Sequence, residues 1–228
     1  MRDVLIVVEP ASSEATAQMV SALKAAILAE QTSESELIRV DVVSSNDLNA
    51  DDWTLNKTLL CPLTLHLPAA IAFPAQAIYA ACRNVEGLRQ QLTEWQYATG
   101  TGEFWLPIVL TAKGPLYAEV IGVKAETSSS DKGAGQAYAQ PIHLTDTQRQ
   151  PLYALGQRLL RSLKAPPAVY LMQFGWQADA LCFDRLLPFP DAPALASLNV
   201  QTPHLFACHW LCLSGQPVTD LAIERPDV

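Results

Sequence analysis

Ala168-Val-Tyr-Leu-Met-Gln-Phe174, Gly175-Trp-Gln-Ala-Asp179, Ala180-Leu-Cys-Phe183 and Asp184-Arg-Leu-Leu-Pro-Phe-Pro-Asp-Ala-Pro193 follow one another without a break. The first is an apolar run of strand length, the second is turn-like and the third is a short apolar run, so the stretch reads as a β-hairpin. Prolines at 188, 190 and 193 deny the fourth segment helix or ladder pairing through much of its length, which makes it a rigid loop. An apolar helix over Pro203–Leu213 follows. Thr202 is placed as its N-cap, Pro203 at its first position and Gly215 just past its end.

Outward from this stretch, the chain opens as strand, helix, strand. Asp3–Glu9 is apolar, Ser12 or Ser13 starts a helix to about Glu30 with Met19, Leu23 and Ile27 in one stripe, and Leu37–Val43 is a second strand. That order is a parallel, right-handed βαβ unit. Thr58–Leu65 is a further short run, confined by Pro62 to an edge or an irregular strand. From residue 74 or 75 to Gln96 the apolar positions recur at helical steps, and Gly100-Thr-Gly102 closes the unit. Glu103–Thr111 and Leu116–Val123 read as strands joined by Ala112-Lys-Gly-Pro115, and Thr127–Gln136 reads as a flexible loop. Asp146 is placed as the cap of a helix over Thr147–Lys164 that Pro166-Pro167 ends. The predicted fold class is α/β: a βαβ-type portion over 1–100, then a mixed α+β portion over 101–228 with antiparallel hairpins and a Pro-rich loop, the boundary being soft and one compact domain being the alternative.

Half of the 228 residues are apolar, enough for a sizeable core, yet charges and prolines interrupt each apolar run before ~20 residues, so no membrane insertion is expected. A net charge of −8 argues against nucleic acid and anionic lipid as partners. The acidic N-terminus does not read as a signal peptide, which points to the cytoplasm. Cys61, Cys82, Cys182, Cys208 and Cys212 sit in mostly apolar settings and read as reduced and buried.

Chemistry-bearing patterns are sparse. His204, Cys208 and Cys212 share one helix face at four-residue steps, but without ligands from a second element they read as core rather than as a zinc site. No Gly-x-Ser-x-Gly elbow is present, and the glycines of 127–136 lack the context of a phosphate loop. Asp184-Arg185 reads as an ion pair at the loop entrance.

Ala139-Gln-Pro-Ile-His-Leu-Thr-Asp146, the helix ending Leu159-Leu-Arg-Ser-Leu163, then Val169–Phe174 and Leu181–Asp184, together resemble the C-terminal lobe of ATP-grasp enzymes, especially the purine-pathway carboxylases. The resemblance spans roughly residues 103–220. It implies a metal-binding Glu at the position held by Gln173 and an Asn-Glu pair near Phe183-Asp184, so at most one carboxylate is kept. No lysine stands in the Val-Lys-Pro manner that the resemblance implies for phosphates, and no Gly-rich flap is present.

These departures favour a non-catalytic binding or assembly protein with no metal and no cofactor. It would hold a protein partner through Asp184, Arg185, Phe189 and Trp176, the aromatics as anchors. The alternative that the resemblance implies is an ATP-grasp-like nucleotide-binding protein or ATP-dependent ligase. There Asp184 and one further carboxylate would hold a metal, Arg185 would contact phosphate, and a small molecule would be the ligand.

Overall fold

The computed structural model describes residues 2–11, 13–30, 37–48, 58–124, 137–178 and 180–224. The chain begins with β1 (Arg2–Val8), α1 (Glu14–Ala29), β2 (Ile38–Ser44) and β3 (Thr58–Pro62). These strands form a parallel sheet in the order β2-β1-β3. Central β1 is buried on both faces, as its unbroken apolar run requires. Val4 and Ile6 meet Met19, Leu23 and Ile27 of α1, whereas Leu5 and Val7 meet Leu48 and Ile71. Ser13 starts α1, its side chain accepting a hydrogen bond from Thr16 N. Pro62 ends β3 at the sheet edge, where its missing N–H breaks no ladder.

The helical stretch that follows is two helices, α2 (Gln76–Arg83) and α3 (Val85–Glu94). Asn84 breaks them at ψ 70° and caps the second by accepting from Gly87 N. The larger sheet then assembles from β4 (Ala98–Thr99), β5 (Phe104–Thr111), β6 (Gly114–Tyr117), β7 (Val120–Val123), β8 (Tyr138–Ile142), β9 (Ala168–Gln177) and β10 (Ala180–Leu187). Its order is β4-β10-β9-β5-β7-β8, with β6 pairing β5. The stretch 116–123 is therefore two strands, separated at Ala118-Glu119. The tight turn between β5 and β6 uses Gly114 at φ 131°, a conformation closed to other residues. The α4 helix (Asp146–Ser162) precedes β9; Thr145 caps it in a capping box with Gln148, one residue before the expected Asp146. A short 3-10 helix (Ala192–Ser197), β11 (Gln201–Thr202), α5 (Leu205–Ser214) and β12 (Ala222–Ile223) complete the chain.

Three expectations about the C-terminal stretch need correction. First, β10 does not stop at Phe183. It runs to Leu187 because the prolines begin only at 188, leaving every ladder N–H before them intact; a bulge lies between Phe183 and Arg185. Second, Phe189 is 3% exposed. Third, α5 is capped by His204, whose Nδ1 accepts from Ala207 N at 3.2 Å, rather than by Thr202. Gly215 closes it at φ 79° as expected. The α5 helix packs against α1, β5 and β9, so one hydrophobic cluster reaches from Val4 to Val218. No described helix is long and apolar enough to cross a membrane. The expected loop over Thr127–Gln136 lies outside the described residues.

Candidate functional site

The carboxyl ends of parallel strands leave a crevice where chain direction alone gathers loop side chains. Here β1 runs into Glu9, and β3 runs through Leu63 into Thr64-Leu-His66. One Glu9 carboxylate oxygen accepts from the Thr64 hydroxyl and lies 2.8 Å from His66 Nδ1. Thr64 Oγ1 in turn accepts from His66 N at 2.9 Å, which fixes the turn that presents the imidazole. Burial pushes the Glu9 pKa up, but the hydrogen bonds from Thr64 and His66 and the His66 charge outweigh it, and the carboxyl sits below its ordinary value. The Glu9 and His66 side chains remain 41% and 72% exposed, so this carboxylate–imidazole pair is open to solvent.

Asp191, at the start of the 3-10 helix, lies within electrostatic reach of Glu9 and Arg185. Burial pushes its pKa up and Glu9 adds to that; a hydrogen bond from the Ala192 N–H and the Arg185 charge only partly offset them. Tyr138 is likewise raised, by burial and then by Asp191. One end of the parallel sheet thus carries two carboxylates, an imidazole and a guanidinium.

A second network adjoins it at the β10 bulge. Asp184, its side chain 4% exposed, receives Arg89 Nη2 at 2.7 Å and Gly102 N at 3.0 Å, while Arg89 Nε donates to the Asp184 backbone carbonyl at 3.0 Å. Arg89 also donates to Gly100 O at 3.2 Å. Gln173 Nε2 donates to Gly102 O at 2.6 Å. Gly102 is required here: a Cβ would lie 2.2 Å from the Phe174 carbonyl group. Arg185 Nε reaches Asp184 Oδ1 at 3.3 Å and keeps its side chain 47% exposed, so the expected Asp184–Arg185 pair forms.

The four residues expected to present a partner surface are not brought together. Asp184 and Arg185 touch, but Asp184 is consumed by the Arg89 network. Phe189 stacks on buried Tyr79, with centroids 6.0 Å apart and planes at 22°, and offers no anchor to the outside. Trp176 is half-buried with its ring edge-on to Phe174. The His204/Cys208/Cys212 face has separate employment: His204 caps α5, Cys208 donates to Pro203 O, and burial pushes both thiols up to about 12.

A divalent cation beside phosphates needs several oxygen ligands. Both Asp184 oxygens are taken by cationic or N–H donors, and Gln173 turns its amide N–H₂ toward Gly102 O. Among the described residues no group of three or more His, Cys, Asp or Glu side chains is placed to hold a metal. The residues do not fit a divalent cation at Asp184, and the Arg185 guanidinium beside it stays half-exposed.

Glu9, Thr64, His66 and Arg89 carry much of this site and were not singled out in the sequence. A signal existed for the first three, which close the strands of a βαβ pattern. None existed for Arg89, which reads as a solvated helix residue.

No family model matches the sequence. Over 124 residues, 54% of the chain, it is 27% identical to a formate-dependent phosphoribosylglycinamide formyltransferase from Haloquadratum walsbyi; the match spans 29% of that relative's length. Among solved structures, glycinamide-RNase-transformylase T from Mycobacterium tuberculosis superposes with a TM-score of 0.68 at 16% identity, covering 95% of this chain and 80% of that one. An N5-carboxyaminoimidazole ribonucleotide synthetase in its ADP complex gives 0.71 at 9% identity, covering 95% and 78%. A protein from Archaeoglobus fulgidus assigned to the ATP-grasp superfamily gives 0.61 at 9% identity, covering 96% and 89%.

The chain has an ATP-grasp-like fold.

The likeness takes in nearly the whole chain, including the N-terminal parallel sheet, and not the expected C-terminal lobe alone. It also overturns the expectation of a non-catalytic adaptor. That reading rested on missing catalytic patterns, whereas the similar proteins bear the names of enzymes: a transformylase, a synthetase and a formyltransferase.

Proposed function

We propose that this chain is a nucleotide-binding protein of ATP-grasp type, acting as an ATP-dependent ligase on a small molecule. The observation that carries the reading is the ATP-grasp-like fold over 95% of the chain, shared with an enzyme that binds ADP. Bound nucleotide supplies a transferable phosphoryl group; the residues of this chain hold and orient. Arg185 is the exposed cation at the β10 bulge and contacts phosphate. Arg89 and Asp184 hold the Gly100–Gly102 turn against β9 and β10, which fixes the backbone beneath that contact. Glu9 and His66 form an accessible carboxylate–imidazole pair suited to moving a proton at the substrate, with Thr64 setting the geometry.

The test is the shift in melting temperature on adding ADP or ATP, with magnesium or with a chelator. Ligand at 100 times its dissociation constant adds about 2.7 kcal/mol. At roughly 2–4 °C per kcal/mol for a chain of this size, that is about 5–11 °C. Because the residues at Asp184 do not fit a divalent cation, the shift is expected to be equal with magnesium and with chelator, and to be lost in Arg185→Ala. His66→Ala should keep the ADP shift and lower nucleotide turnover by about 10²–10⁴-fold. No shift with either nucleotide at millimolar concentration would overturn the reading.

A further inference from the structure

A cavity of about 380 Å³ lies beside the first residues of β3, between α2, the start of β9 and α5. It is distinct from the site above. Thr58, Leu59 and Leu60 line it at the amino end of β3, whereas Thr64 and His66 lie past the carboxyl end. Tyr170 lines it from the face of β9 opposite Gln173, three residues away in an alternating strand.

The walls are Leu59, Phe73, Ile78, Tyr79, Tyr170 and Leu213, interleaved with prolines, and their character is strongly apolar. The size falls within the range of small-molecule sites, which are mainly apolar with a few placed polar groups. His209 supplies such a group in the wall of this cavity. It comes from α5, is 1% exposed, and its Nδ1 accepts the Val169 N–H at 3.2 Å. The neutral ring must therefore carry its proton on Nε2. That N–H is buried and has no hydrogen-bond partner among the described residues. Buried donors without acceptors are rare in folded proteins and point to an absent partner. Burial also lowers the imidazole pKa to about 3, so the ring stays an uncharged donor at neutral pH. A carboxylate in these apolar surroundings would go without a countercharge.

We propose that this cavity binds a small, neutral, largely apolar molecule that presents one hydrogen-bond acceptor, a carbonyl oxygen or an aromatic ring nitrogen, to His209 Nε2–H. Quinoline and naphthalene form a matched pair of probes, alike in shape and differing in the ring nitrogen. In the full chain labelled with ¹⁵N-histidine, quinoline is expected to move the His209 Nε2 resonance and to bind about tenfold or more tightly than naphthalene. Leu59→Trp, which fills the cavity from a half-buried strand position, should abolish binding of both. His209→Phe keeps the aromatic wall without the donor and should equalise the two affinities; it carries the test should Leu59→Trp not fold. An unmoved His209 resonance at the solubility limit of quinoline would overturn the proposal. So would equal binding of the two probes to the wild-type chain, or a preference for quinoline that survives in His209→Phe.

Discussion

Replacing Arg89 with Met tests whether the buried pair at the β10 bulge holds the site in place. Arg89 meets Asp184 Oδ1 at 2.7 Å, the Asp184 carbonyl at 3.0 Å and the Gly100 carbonyl at 3.2 Å. Methionine keeps much of the stem's apolar packing and removes these three bonds together with the 3.4 Å contact to the exposed Glu86 carboxylate. It leaves a carboxylate that is 4% exposed with, among the described residues, only Gly102 N and the half-exposed Arg185 to compensate it. Removing one partner of a buried pair costs about 3–5 kcal/mol. Because the Arg89 side chain is 23% exposed, the lower end applies, about 3 kcal/mol. That predicts a melting temperature roughly 6–12 °C lower, read by differential scanning fluorimetry and checked by urea unfolding. Asp184→Asn keeps an acceptor for Gly102 N and leaves Arg89 a path to solvent, so its cost is smaller, about 1–2 kcal/mol. The double variant should fall short of the sum by more than ~0.5 kcal/mol, since the two side chains act on each other. Additive losses, or a single-variant loss below ~0.5 kcal/mol, would refute the idea that this pair anchors the bulge.

Phe189→Ala should cost about 3–5 kcal/mol by urea unfolding, because the ring is 3% exposed and stacked on Tyr79; a loss under ~1 kcal/mol would return the ring to the surface. Asp191→Asn should show a pH-dependent gain in stability. Burial first, and then Glu9, raise the Asp191 pKa above its unfolded value, so its favourable contribution is present below the unfolded pKa and is lost as pH rises through the folded pKa. The Asn variant is therefore expected to be the more stable at pH 7, the advantage closing as the pH falls below about 4, the unperturbed carboxylate range. An advantage that does not change with pH would show that Asp191 titrates as it does in the unfolded chain.

Much of the architecture is legible because periodicity records burial. The run Asp3–Glu9 is apolar at consecutive positions, as a strand covered on both faces must be, and the stripe Met19, Leu23 and Ile27 packs where its spacing puts it. The Pro-rich stretch misled for a definite reason. Proline forbids pairing only where its own N–H is needed, so Asp184–Leu187, lying before the first proline, stayed free to continue β10. Once the strand continues, the bulge turns Asp184 inward and Arg185 outward, and Phe189 follows the buried side. The carboxylate that looked like the rim of a binding loop is instead neutralised by a guanidinium 95 positions earlier in the chain, on a helix whose sequence gives no hint of it. Long-range charge pairing leaves no periodic trace, because it depends on where two elements meet and not on the composition of either. The same holds for the Glu9–His66 pair, which is 57 residues apart in sequence and adjacent only because β1 and β3 lie side by side in parallel. Absence of a local motif was therefore weak ground for an adaptor: in this fold the polar groups are delivered singly, by strand ends and a helix face, to a place that only the topology defines.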